Sequence, residues 1–184
     1  MIKKIIKEHN DIVNKFFEVN KKAVLEVADL MLETVKNRHI IFFFGNGGSA
    51  ADSQHLAAEF VNRFEKERRE LPALALTTDS SVITSIANDY HYNDIFKKQI
   101  NALGRTGDVA VGISTSGNSE NVYRALESAK NRNMPTVAFL GNNGGSIAGI
   151  VDYPLIVDSV RTARIQEVHI LLGHILCSLI EREL

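Results

Sequence analysis

Five short apolar runs recur along the chain, and none of them alternates with polar positions. They are IIFFF (40–44), ALAL (73–76), VAVGI (109–113), TVAFL (136–140) and LIV (155–157). Unbroken apolar runs are typical of strands buried on both faces, as in a parallel sheet covered by helices. Pro72, Pro135 and Pro154 each stand just before a run, where the missing N–H does no harm. The pattern therefore predicts a sheet of parallel strands.

The segments between these runs have helical composition or a helical spacing of apolar residues. The predicted helices cover residues 3–36 (as two helices), 49–64, 119–133 and 162–184. Ser49 and Ser119 stand at predicted N-cap positions of the second and third segments. Strands alternating with helices predict an α/β doubly wound fold.

The predicted sheet brings two polar loops together. In an open α/β sheet, ligands bind beyond the carboxyl ends of the strands, where the strand order reverses. If the strand order is 2-1-3-4-5, this crevice lies between GNGGS (45–49) and STSGNS (114–119). Asn88 and Asp89 follow the second strand, after a short helical stretch. They either line the same crevice or simply end that helix.

Both loops have the composition of an anion site that lacks a positive side chain. Gly47, Gly48 and Gly117 permit positive φ and let backbone N–H groups approach a ligand closely. Each loop leads into a helix N-terminus, which carries unpaired N–H groups and a partial positive charge. Hydroxyl donors come from Ser114, Thr115, Ser116 and Ser119. The sequence predicts a phosphate site, but without a P-loop lysine or a G-x-G-x-x-G motif it argues against a nucleoside triphosphate or a dinucleotide.

Candidate acid–base groups lie on two of the predicted helices. His55 and Glu59 are four residues apart, so they share one helix face, although surface pairs have the same spacing. Gln166 and His174 lie on the last helix, within a quarter turn of each other. The same helix also carries His169. His174 stands in the apolar segment LLGHILC, where a buried structural histidine is commoner than a proton carrier facing a polar crevice.

Composition and charge exclude several classes of protein. Hydrophobic residues make up 45% of the chain, charged residues 23%, and the net charge is −1. Nothing therefore favours binding to nucleic acid or to an anionic membrane. The mixed-sign run EKERRE (65–70) is interpreted as a solvated loop. The single cysteine, Cys177, excludes an internal disulfide and lies in an apolar helical pattern, which predicts buried packing.

The chain shows no predicted targeting or membrane segment. Acids and amides in MIKKIIKEHN argue against a secretory signal, and no apolar stretch approaches the length of a membrane span. We expect a cytoplasmic protein of one domain over residues 1–184, with an α/β core over 37–184. The helices of residues 1–36 and the last helix carry more apolar surface than one small sheet can cover, which predicts an oligomer with a helical interface.

Five segments closely resemble the phosphoheptose isomerases, which belong to the class of sugar-isomerase (SIS) domains. The segments are GNGGSAADSQHLAAEF, LTTD, ANDY, GISTSGNSENV and TARIQEVHILLGHIL. The resemblance implies a flavodoxin-like three-layer αβα sandwich with a five-stranded parallel sheet, assembled as a homotetramer with active sites near subunit interfaces. It also implies the conversion of D-sedoheptulose 7-phosphate to D-glycero-D-manno-heptose 7-phosphate by an enediol mechanism, early in bacterial heptose biosynthesis.

The same resemblance implies roles for individual residues. Glu59 is the implied catalytic base, acting on carbon, and His174 the partner acid or base, acting on oxygen. The implied substrate-binding residues are Asn46, Gly47, Gly48, Glu59, Asn88, Asp89, Ser114, Thr115, Ser116, Ser119 and Gln166. Several members bind zinc, and the matching positions are His55, Glu59, Gln166 and His174, whose N and O donors suit zinc. Ala163 and Ala50 replace an Asp and a His of some members, without removing a proposed acid or base.

Three other functions are compatible with parts of the pattern. A paralogous group with the same fold binds the bacterial replication initiator DnaA, but it lacks the glutamate and the final-helix histidine that this chain retains as Glu59 and His174. A sugar-phosphate sensor would add a DNA-binding domain that 184 residues do not accommodate. An isomerase of another sugar phosphate is the third, because the loops specify the phosphate better than the chain length of the sugar. Whether the product feeds lipopolysaccharide, a capsule or another glycan stays open.

Overall fold

The computed structural model describes all 184 residues as five strands and six α-helices. The strands are β1 (Ile41–Gly45), β2 (Ala73–Ala75), β3 (Val109–Ser114), β4 (Thr136–Gly141) and β5 (Tyr153–Val157). The helices are α1 (Ile2–Lys36), α2 (Gly48–Val61), α3 (Ser80–Asp89), α4 (Ile95–Leu103), α5 (Glu120–Asn131) and α6 (Thr162–Arg182). Single 3₁₀ turns span Tyr92–Asp94 and Ile147–Gly149. The predicted α/β architecture is confirmed.

All strand pairs are parallel, and the strand order is β2-β1-β3-β4-β5, the order on which the predicted crevice depends. The order reverses between β1 and β3, where Gly45 pairs with Ile113. The two polar loops that follow these strands therefore start side by side at one edge of the sheet. Pro154 is the second residue of β5 rather than its predecessor; β5 is an edge strand, which tolerates a missing N–H.

Helices cover both faces of the sheet, which gives the predicted three layers. Ile41 and Phe43 of β1 pack in a core formed with α1, α2 and α6. Phe42 and Phe44, which alternate with them, pack in a second core formed with α3, α4 and α5. Successive strand residues face opposite sides, so a strand buried on both faces requires the unbroken apolar runs seen in the sequence.

Two helix predictions are corrected by the structure. Residues 3–36 lie in one continuous helix, the 35-residue α1, and not in two, because no glycine or proline interrupts it. Its buried residues lie between Phe16 and Val35. Helix α2 begins one residue before Ser49, so Gly47 occupies the N-cap, and the helix ends at Val61. Ser49 is instead buried inside the first turn.

Helix α6 is 21 residues long and, by length and composition alone, apolar enough to cross a membrane, which the sequence analysis did not expect. Half of its most apolar window is buried inside the fold, and core helices pass the same test of length and composition. The N-terminus of α6 is fastened to α1. His9 bonds to Glu167 at 2.7 Å, and Arg161 pairs with Glu8.

Candidate functional site

The first loop, residues 45–49, turns the chain from β1 into α2. Gly47 has φ +56° at the N-cap, a conformation that side chains other than glycine rarely adopt. The amide of Gln166, on α6, lies directly against Gly48, where an added Cβ would collide with it. The structure therefore places Gln166, Gly47 and Gly48 together at the N-terminus of α2, where free N–H groups favour an anion or a polar ligand.

The second loop, residues 114–119, holds a cluster of hydroxyl groups. Ser114 is buried, and its Oγ lies 2.9 Å from Ser119 Oγ and 3.4 Å from Ser116 Oγ. Ser119 is the N-cap residue of α5, as predicted, but its hydroxyl bonds to Ser114 instead of capping the helix. Gly117 has φ +70°. These groups and the N-terminus of α5 form a neutral, donor-rich surface suited to a phosphate ester.

Two residues that the sequence did not indicate form hydrogen bonds with Asn46 of the first loop. Asn121, on the first turn of α5, is 3% exposed and bonds reciprocally to Asn46 of the first loop. Each of the two amide–amide hydrogen bonds measures 2.8 Å. The hydroxyl of Tyr92 also donates to Asn46 Oδ1, at 3.1 Å. No local signal could have found these contacts, because Asn46 and Asn121 are 75 residues apart.

A third polar loop, residues 142–146, also borders the second loop and was not predicted as part of the crevice. Asn142 Nδ2 donates to the carbonyl of Thr115 at 3.0 Å, and the amide of Ser146 donates to Asn118 Oδ1 at 2.9 Å. A cavity of about 580 Å³ opens beside these loops. The segment GNNGGS was the available signal, since β4 neighbours β3 in the predicted order.

Helices α2 and α6 bring an imidazole–carboxylate cluster together. His55 Nε2 lies 3.4 Å from Glu59 Oε1 and 2.9 Å from His174 Nε2, although His55 and His174 are 119 residues apart. The His174 ring also packs beside Phe64, with centroids 5.3 Å apart. The helices approach closely because Gly173 presents no side chain to Leu56. The predicted contact of His55 with Glu59 is therefore formed, and His174 joins it.

The surroundings of this cluster favour a neutral imidazole at His174. Burial lowers the pKa of His174, the neighbouring His55 lowers it further, and Glu59 partly opposes both. One turn earlier on α2, Asp52 has a buried oxygen, Oδ2, without a hydrogen-bond partner. Burial raises the pKa of Asp52, against the opposing effect of His55. Sequence spacing gave no reason to select Asp52.

The cluster provides donors of the kind that zinc accepts, namely two imidazole nitrogens and a carboxylate oxygen. His55, Glu59 and His174 supply them, whereas Gln166, the fourth predicted ligand, lies at the first loop. No group of three or more His, Cys, Asp or Glu side chains in the chain is arranged as a preformed metal site. The donor chemistry fits zinc, and the predicted four-residue ligand set stays a prediction.

The remaining candidate residues fall into two groups. Asn88 and Asp89 are the last two residues of α3; both are exposed, and Asn88 Nδ2 donates to Asp89 Oδ1 at 2.9 Å. They do end a helix, and Tyr92 links the segment after them to the first loop. The buried histidine of α6 is His169, not His174. Cys177 is buried as expected, and burial raises the pKa of its thiol to about 12.

Comparisons with known proteins match this chain to the SIS domain and to phosphoheptose isomerases. The family model of the SIS domain matches residues 5–141. A phosphoheptose isomerase of Aquifex aeolicus is 51% identical over 180 residues, covering 98% of this chain and 94% of the relative. The structure of phosphoheptose isomerase from Neisseria gonorrhoeae matches with a TM-score of 0.93 at 44% identity, over 98% of this chain and 97% of that one. A phosphoheptose isomerase structure from Francisella tularensis matches with a TM-score of 0.93 at 34% identity, over 98% and 96%.

Proposed function

The chain belongs to the phosphoheptose isomerases, a family of SIS-domain enzymes, and from this premise we propose which of its residues bind and isomerise the sugar phosphate. It is an isomerase that acts on sedoheptulose 7-phosphate. The observation that carries the residue proposal is the arrangement of α2. This helix has the polar loops at its N-terminus and the cluster of Glu59, His55 and His174 along the face that meets α6.

The second loop binds the phosphate group in this proposal. The hydroxyls of Ser114, Ser116 and Ser119 cluster just before the N-terminus of α5, and Thr115 lies within the same loop. In the proposal these four hydroxyls donate to phosphate oxygens without a positive side chain. Asn46, Gly47, Gly48 and Gln166 contact the sugar chain from the first loop and α6, and Asn88 and Asp89 contact its hydroxyls. Helical side chains lean toward the helix N-terminus, so Glu59 and His174 lean toward the loops.

The reaction moves hydrogen between two adjacent carbons. Glu59 removes a proton from C1 of the open-chain ketose, which leaves an enediol, and returns a proton to C2 of the aldose. His174 takes the proton of the C1 hydroxyl and supplies one to the oxygen on C2. A neutral His174, favoured by its lowered pKa, accepts this proton without first losing one. His55 lies between the two groups and holds their relative position.

We also propose that the enzyme binds zinc through His55, Glu59 and His174, with Gln166 as the fourth ligand expected from the family. When bound, zinc would act as a Lewis acid toward the carbonyl oxygen of the substrate. Metal content measured by mass spectrometry tests this proposal. About one zinc per chain is expected in the wild type, and His55→Gln should lose most of it. Wild-type protein that stays metal-free after purification with added zinc would contradict the proposal.

The proposal also covers assembly, location and pathway. An exposed apolar patch at the start of α1 supports a homo-oligomer, and from the family resemblance we propose a homotetramer. We place the enzyme in the cytoplasm, where sugar phosphates are made. Its product enters bacterial heptose biosynthesis, for lipopolysaccharide, a capsule or another glycan. The alternative of a non-catalytic protein that binds DnaA is not supported, since the relatives are isomerases and the Glu59–His174 cluster is formed.

Isomerisation of sedoheptulose 7-phosphate in D₂O tests the mechanism. An enediol that exchanges with solvent gives an aldose carrying deuterium at C2, which NMR detects. Product that keeps only protium at C2 over many turnovers would show that the transferred hydrogen never exchanges with solvent, either because Glu59 holds it shielded from water or because it moves directly between the carbons. Full activity of Glu59→Gln together with this result would overturn the enediol route. Absence of any conversion, with and without zinc, would overturn the assignment of this chain's substrate.

A further inference from the structure

We infer that Asn121 is a positioning residue for substrate recognition, which acts through Asn46. The inference rests on the proposed function, in which Asn46 contacts the sugar. Asn121 is almost fully buried at the start of α5 and points its side-chain amide across the sheet reversal to the first loop. The two amides exchange a donor and an acceptor at 2.8 Å in each direction. Asn121 therefore joins the phosphate loop to the sugar loop.

This pairing decides how Asn46 can meet a ligand. A side-chain amide has two acceptor positions on its oxygen and two N–H donors. Asn46 Oδ1 already accepts from Asn121 Nδ2 and from the hydroxyl of Tyr92, and one N–H of Asn46 is given to Asn121. A single N–H is left for the substrate. Asn46 thus acts only as a donor, and its target is an oxygen of the sugar, either a hydroxyl or the open-chain carbonyl.

The pairing also fixes the spacing between two parts of the site. Gly45 and Ile113 are paired at the ends of β1 and β3, immediately before the two loops. Beyond that pair, the backbone of neither loop is held to the other by the sheet. The Asn46–Asn121 hydrogen bonds are the side-chain link that sets how far the sugar contact lies from the phosphate contact. Loss of this link should weaken binding of a ligand that spans both loops, and spare one that occupies the phosphate site alone.

A double-mutant cycle with two ligands tests the inference. The variants are Asn46→Ala, Asn121→Ala and the double variant, with Asn131→Ala, at the exposed end of the same helix, as the matched control. We expect Asn46→Ala and Asn121→Ala each to raise KM for sedoheptulose 7-phosphate about tenfold, the effect of about one hydrogen bond. The double variant should be no worse than Asn46→Ala alone, since both act through one group. Inhibition by inorganic phosphate should change less than twofold in all of them.

Tyr92→Phe supplies a second variant that leaves the buried core intact, because Tyr92 is 52% exposed. Loss of its hydroxyl should raise KM about twofold in the wild type and not at all in the Asn46→Ala background. Wild-type behaviour of Asn121→Ala beside an impaired Asn46→Ala overturns the inference and leaves the proposed function standing. Additive effects, or an equal loss of phosphate inhibition, also overturn it. A normal KM in Asn46→Ala overturns the proposed role of the first loop itself.

Discussion

The contacts of the histidines on α2 and α6 depend partly on spacing within one helix and partly on the packing of the two helices. The four-residue spacing of His55 and Glu59 predicts their contact, because helix geometry alone brings such a pair together. The approach of His174 to His55 depends on the packing of α2 on α6, which no spacing reveals, and only family resemblance suggested it. Spacing also could not show which histidine is buried, since His169 and His174 both stand among apolar neighbours. The structure selects His169, whose ring nitrogen Nε2 lies 3.1 Å from the carbonyl of Leu140.

Glu59→Gln removes the proposed base while it keeps the size and polarity of the side chain. We expect kcat to fall on the order of 10²- to 10⁴-fold, since the amide cannot accept the carbon-bound proton. Steady-state kinetics with sedoheptulose 7-phosphate measure this loss, and circular dichroism checks the fold. Glu26→Gln on α1, another carboxylate in a four-residue pair, is the control and should keep full activity. An active, folded Glu59→Gln enzyme would disprove the assignment of the base.

His169 should make the fold sensitive to mild acid. Burial lowers its pKa from 6.5 to about 4, so the folded protein disfavours a proton that the unfolded chain accepts. Stability is therefore full above pH 6.5 and falls as the pH drops toward 4, by about 3 kcal/mol at most. Urea unfolding at a series of pH values measures the slope. His169→Gln should flatten it, whereas the exposed control His91→Gln should not, and equal slopes in all three proteins would count against this prediction.

At the scale of elements, the strands could be predicted well, because burial on both faces leaves an unmistakable apolar run. The helix boundaries were less certain. The charged run at residues 65–70 is a mostly exposed loop, as predicted, but Arg68 is an exception. The side chain of Arg68 is 8% exposed, and its guanidinium donates to the carbonyls of Glu59 and Phe60 at the end of α2. Its Nε lies 3.2 Å from the buried Glu181 of α6. A mixed-charge segment can contain one buried ion pair, and composition alone does not show which residue supplies it.

Glu181→Ala should destabilise the protein by about 3–5 kcal/mol, because it leaves the Arg68 charge buried without a partner. It also removes the acceptor of three backbone N–H groups, those of Phe64, Glu65 and Lys66. Denaturant unfolding measures the loss, and Glu183→Ala at the exposed end of the chain is the control. A change below 1 kcal/mol would show that this ion pair does not hold the end of α2.

The same carboxylate adds a second acid-sensitive contribution. Burial alone would raise the pKa of Glu181, but the three backbone donors and Arg68 together outweigh it and hold the pKa below 4.5. The stabilisation is therefore complete above pH 4.5 and is lost as the pH falls through the lower, folded value. Glu181→Gln should show a smaller loss of stability below pH 4.5 than the wild type. An unchanged slope in that range would contradict the proposed linkage.

At the scale of the whole molecule, topology assembles the crevice. The strand order predicted from the sequence was sufficient to place the first and second loops together, because the carboxyl ends of parallel strands share one edge. The same order also places the third loop beside the second, because β4 lies beside β3. The third loop was not predicted, because the crevice was sought only at the reversal between β1 and β3. The Asn46–Asn121 pair was beyond prediction, because it depends on side-chain directions after the loops have met.

The first turns of α1 carry an exposed apolar patch, from which we predict that the chain associates with a second copy of itself. Ile2, Ile5 and Ile6 are 72%, 37% and 52% exposed, and together they form an apolar patch of the kind that marks a protein interface. The helix is held in place there, since Arg164 of α6 donates to the carbonyl of Ile5. A second copy of the chain would remove this patch from water.

Ile6→Glu should therefore yield a smaller species in size-exclusion chromatography with light scattering, whereas Lys4→Glu, an exposed control that also adds negative charge, should not. If active sites lie at the interface, isomerase activity should fall together with the mass, and a wild-type monomer at micromolar concentration would contradict the prediction.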